Sequence, residues 1–70
     1  MSNSIEEQAE SRFRGSGHSE LRQIRCTIHH GILTLSGSVS SYEVRQVAQE
    51  MIKELKGIDI IDNQIVIDDQ

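Results

Sequence analysis

Four serines crowd the stretch LSGSVSSYEVR, residues 35–45, and serine is the first residue type in this chain that could do covalent chemistry. A hydrolase-type serine sits in a G-x-S-x-G turn with a base beside it. The second glycine is missing here and no paired base is evident. Ser36 and Ser38 alternate with residues that want burial, so both are expected on the outer face of a strand. Ser40 and Ser41 stand where a helix cap belongs. No catalytic residue is assigned, and the expectation is a protein that is not an enzyme.

His18, His29, His30 and Cys26 raise the question of a metal. Neighbours on a strand point to opposite faces, so His29 and His30 are not expected to share an ion. Cys26 has inward parity, where a lone cysteine acts as a small apolar residue. Asp59, Asp62, Asp68 and Asp69 lack the spacing and glycine of a calcium loop and read as a solvated terminal edge. Arg45 is expected to cap or pair locally. No metal and no cofactor is expected.

The remaining constellation is basic: Arg12, Arg14, Arg22 and Arg25. The net charge is −4, but acids and bases balance over residues 1–30, while residues 31–70 carry seven acids against Arg45, Lys53 and Lys56. An acidic total argues against a nucleic-acid binder, which needs a concentrated basic field. Each basic residue at an anionic bilayer contributes about 1 kcal/mol. All four facing lipid would give about 4 kcal/mol, roughly millimolar affinity. Useful attachment would then require oligomerisation or tethering.

Positioning these residues falls to one small domain, since 70 residues leave no room for two. Such a chain buries only about 60% of its unfolded surface. With no proline or tryptophan, one tyrosine and one phenylalanine, its core must be built from Ile, Leu and Val. A single cysteine excludes an internal disulfide. No apolar stretch nears the roughly 18 residues of a membrane span, and no export signal is evident. Read as a whole protein the chain would be cytoplasmic; read as an excised domain, periplasmic or membrane-associated.

NSIEEQAESRFR predicts a helix, with Ser4 and Glu7 as a capping box and Ile5, Ala9 and Phe13 on one face. GSGHSE reads as an ordinary loop. LRQIRCTIHHGILTLSGSV predicts a hairpin: Ile24, Cys26 and Ile28 alternate with polar residues, His30-Gly31 makes the turn, and Leu33, Leu35 and Val39 continue the inward face. A second helix follows, capped by a Ser40–Glu43 box, with Val44, Val47, Ala48, Met51, Ile52 and Leu55 on one face over about four turns. Lys53 and Lys56 suit the negative end of its dipole, and Gly57 its termination. GIDIIDNQIVIDDQ predicts a closing strand with Ile61, Ile65 and Ile67 on one parity, parallel to the strand before it. The expected fold class is α+β: a small α-β-β-α-β sandwich whose three-stranded mixed sheet carries both helices on one face. The other face would be open, with Ile32, Ile60 and Val66 among its residues.

HGILTLSGSVSSYEVRQVAQEMIKELKGI resembles the centre of the BON domain (bacterial OsmY and nodulation), with its G-x-V-x-L-x-G-x-V strand and E-x-R-x-x-A helix. GIDIIDNQIVI is similar to its closing G-V-x-x-V-x-N-x-L-x-V strand. The matching positions are Gly31, Leu33, Leu35, Gly37, Val39, Arg45, Ala48, Gly57, Ile58, Ile61, Asn63, Ile65 and Ile67, within residues 20–67. The resemblance implies one domain over residues 1–70, with a core over about 4–67. It also implies a non-enzymatic role in phospholipid attachment or protein interaction, of the kind found in bacterial periplasmic stress proteins, secretins and channel-associated proteins. The family has no agreed ligand residues. Two expectations follow: weak attachment to anionic phospholipid through Arg12, Arg14, Arg22 and Arg25, or a protein partner or second copy on the Ile32, Ile60 and Val66 face. An unpaired strand edge would offer a further route to association.

Overall fold

The computed structural model describes residues 4–68; Asn3 and Asp69, named above, lie outside them. Helix α1 (Ile5–Arg14) starts with the expected reciprocal cap. The Ser4 hydroxyl accepts from the Glu7 N–H at 3.1 Å, and the Glu7 carboxylate accepts from the Ser4 N–H at 3.2 Å. Its Ala9 and Phe13 are sealed from solvent, with Ile5 packed beside them.

The loop that follows is shorter than its polar sequence suggested. Ser19–Gln23 form a 3-10 turn, and Leu21, expected at the head of the hairpin, is completely buried from within it. A single apolar residue among polar neighbours has no alternation to place it in a strand. The tight turn instead swings that one side chain into the core.

Strands β1 (Arg25–His29) and β2 (Ile32–Ser36) pair antiparallel, with Cys26 opposite Leu35 and Ile28 opposite Leu33. The turn uses His30 at φ 51° and Gly31 at φ 80°, positive at both central positions as a two-residue hairpin loop of right-handed twist demands. Gly31 is doubly constrained, because a Cβ there would collide with the Asp59 carboxylate. The strand expected to run on to Val39 instead breaks at Gly37. A side chain at that position would press on Ile24, with its Cβ 2.9 Å from Ile24 Cδ1.

Beyond the break, β3 (Ser38–Val39) leads into α2 (Tyr42–Ile52). The cap differs from expectation. Ser41, not Ser40, accepts the Val44 N–H, at 3.3 Å. Ser40 is drawn away by Glu20, whose carboxylate accepts both its N–H and its hydroxyl at 2.6 Å. The helix also stops a turn early: Leu55 lies past its end yet is still buried, and Lys53 pairs with Glu50 at 2.8 Å.

The closing segment forms two pieces, β4 (Ile60–Asn63) and β5 (Val66–Ile67). β4 pairs parallel with β2 and β5 parallel with β3, at one constant offset, so the sheet order is β1-β2-β4 with a short continuation β3-β5. Buried sheet residues are of one parity: Cys26, Leu33, Leu35, Val39 and Ile65, joined by Ala9, Phe13, Ala48 and Ile52 of the helices. Both helices therefore cover the same face, and the α+β sandwich stands. Ile67, expected inward, is 40% exposed, on the short last strand β5.

Candidate functional site

The fold gathers three of the four arginines. The last turn of α1 supplies Arg14, the 3-10 turn Arg22, and the first residue of β1 Arg25. Together with Glu10 they ring a concavity of about 410 Å³ floored by the buried Leu21 and Ile24. Folding the 3-10 turn against α1 makes the cluster; in sequence Arg14 and Arg22 are separated by the glycine–serine loop. All three guanidinium side chains belong to exposed residues, so their charge is directed to solvent.

Arg12 is not part of this group. It donates from Nη1 to the Met51 carbonyl at 3.2 Å, tying α1 to the end of α2, and it lines a separate hollow with Glu7, Gln8 and Ser11. Helical periodicity accounts for the split: residues two apart on a helix face different directions, whereas Glu10 and Arg14, four apart, share a side.

The open sheet face is less continuous than its parity promised. Ile32 (39% exposed) and Ile60 (57%) are ladder partners, but Val66 (61%) sits on the β3–β5 extension. Between them lie the Thr34–Asp62 pair and Gln64, which donates to Asp62 at 2.8 Å. The aliphatics form two spots around a polar centre.

Side chains from the helix layer reach both sheet edges. On β1, Glu6 accepts the outward Ile28 N–H at 2.7 Å. On the other side Arg45 does not pair locally. It reaches 18 and 20 residues along the chain, donating to the Asn63 carbonyl through Nη2 and the Ile65 carbonyl through Nε, each at 3.0 Å. Asn63 completes the clasp: its Oδ1 accepts the Ile65 N–H at 3.1 Å and its Nδ2 donates to Gln49 at 3.2 Å. Charged plugs of this kind blunt an edge against strand addition. Sequence reasoning missed the clasp, although Arg45 and Asn63 both stood among the motif positions.

The residues with chemical potential are otherwise occupied. Ser40 is bound to Glu20, and those two hydrogen bonds hold the Glu20 carboxyl below its ordinary range, making it a poorer base. Ser41 caps α2. Burial, reinforced by Glu10 and Glu6, pushes the Cys26 thiol up to about 12, so the reactive thiolate is suppressed. His29 and His30 do not diverge as strand neighbours would. The turn brings their rings to 4.0 Å, because His30 has left the strand conformation. Among the described residues no group of three or more His, Cys, Asp or Glu is placed to hold a metal ion. No helix of the described residues is long and apolar enough to cross a membrane.

No curated protein matches the chain. The family model of the BON domain matches residues 2–69, nearly its whole length. By that match, and with the mixed sheet under its helical cover, the chain belongs to the BON domain family, a family of non-catalytic binding domains.

Proposed function

We propose that this domain is a non-enzymatic module that attaches to anionic phospholipid surfaces through Arg14, Arg22 and Arg25. The observation that carries the reading is the convergence of three exposed guanidinium groups on one concavity, from three separate elements. Guanidinium forks match phosphate oxygens geometrically as well as electrostatically. With three arginines at the surface the electrostatic gain is about 3 kcal/mol, a Kd of about 6 mM, and Glu10 subtracts from it. A single copy therefore binds weakly and reversibly, and several copies on one surface bind well.

The test is co-sedimentation with phosphatidylglycerol-containing vesicles against pure phosphatidylcholine. Binding is expected at low salt, is lost at high salt, survives Arg12→Gln, and falls with Arg22→Gln/Arg25→Gln. Absence of binding at low salt and high protein concentration sinks the reading. A second reading, self-association through the open sheet face, draws on the exposure of Ile32, Ile60 and Val66. It predicts a dimer that Ile60→Lys dissolves.

A further inference from the structure

Helix α2 turns Val44, Ala48 and Ile52 toward the core, but it carries a second stripe beside them. Tyr42, Gln46 and Glu50 form one row at four-residue steps, and Glu43, Val47 and Met51 the next. Between the rows runs an open groove of about 490 Å³. Its floor is apolar, since Val47 and Met51 are only half-buried. Tyr42 stands at its head with 60% of its surface exposed, and Glu43 and Glu50 form its acidic rim, Glu50 shared with Lys53 at 2.8 Å.

An aromatic plate, an apolar floor and flanking carboxylates suit one kind of side chain. Arginine stacks its planar guanidinium on a ring, forks a carboxylate and lays its methylene stem on apolar surface. Symmetric pairing of two α2 grooves is disfavoured, because it sets one acidic rim against another. The Arg14, Arg22 and Arg25 concavity has the opposite charge and shares no residue with the groove, so both surfaces are available on one molecule.

We propose that the α2 groove of one copy docks the Arg14, Arg22 and Arg25 face of the next, assembling the domain head-to-tail. Such an interface does not close on itself, so assembly grows with concentration. Exposed charge pairs hold it, so it weakens with salt. The arginines are the same ones assigned to lipid, and the test therefore contains no lipid. Failure of either reading leaves the other standing.

The experiment uses two variants of the 70-residue chain, Glu43→Gln/Glu50→Gln and Arg22→Gln/Arg25→Gln, neutral changes at exposed positions whose folding is confirmed by circular dichroism. Sedimentation velocity up to about 1 mM, a range that captures interactions of about 4 kcal/mol, should show wild type growing in size and each variant associating about tenfold more weakly. Mixing the variants restores one intact interface and should give a capped heterodimer. With the Glu43→Gln/Glu50→Gln chain isotope-labelled, amide shifts on mixing should cluster at residues 14 and 21–25, and Ile60→Lys should leave wild-type association unchanged. A wild type that stays monomeric at low salt, or variants whose mixture shows no shifts there, overturns the proposal.

Discussion

Replacing Arg45 with methionine isolates the clasp at the β4–β5 edge, since methionine keeps an apolar stem of similar reach and removes every donor. The wild-type side chain makes two charge-assisted hydrogen bonds of 3.0 Å to the Asn63 and Ile65 carbonyls. Bonds to charged groups contribute about 1.5–3 kcal/mol each when well sheltered. These lie at a half-buried rim, where water recovers part of the loss, so the pair is worth about 2–3 kcal/mol. A chain of this length has a total stability of about 4–10 kcal/mol, so Arg45→Met removes a large fraction and still leaves a folded majority. In a domain this small, each kcal/mol moves the melting temperature by about 4–8 °C, giving an expected fall of about 10–20 °C by circular dichroism. Arg45→Lys should fall in between, because one ammonium cannot span both carbonyls as the fork does. A fall under about 4 °C for the methionine variant would refute the assignment and reduce the contact to an incidental surface bond.

Three further outcomes follow from particular contacts. Ile65→Ala, in the core at 4% exposure, should cost about 2–5 kcal/mol in urea unfolding and approach complete loss of the fold, whereas Ile60→Ala, 57% exposed, should stay within about 0.5 kcal/mol of wild type; comparable effects would mean the sheet is packed on its other face. Cys26, its thiol raised to about 12 by burial, should resist an alkylating reagent at mildly alkaline pH until urea unfolds the domain. The stability tied to that neutral thiol is complete below the unfolded value near 9 and is lost as pH climbs toward 12, so prompt native-state labelling would contradict its burial. For Glu20, lowered by the Ser40 hydrogen bonds, the contribution is present above its ordinary value of 4.5 and disappears as pH falls below it. Glu20→Gln should therefore lower the melting temperature at neutral pH and converge on wild type in acid; a gap independent of pH would assign the effect elsewhere.

Sequence alone determined the features that depend on neighbours along the chain. The capping box of α1, the His30-Gly31 turn, the inward parity of Cys26, Leu33, Leu35 and Ile65, and the stripe of α2 are all written at spacings of two, three or four residues. Those periods also sufficed for the architecture, because each element had one apolar side and three such sides fit together in only a few ways. Tertiary structure decided what depends on chain segments meeting. Ser40 could not be seen to abandon its helix for Glu20, nor Leu21 to enter the core through a 3-10 turn, nor Arg45 to reach across to Asn63 and Ile65. The same holds for the arginines, which read as a set of four in sequence and became three around one hollow with Arg12 turned away. A side chain's local period says which face it takes, but its partner is chosen by whatever the fold brings to that face.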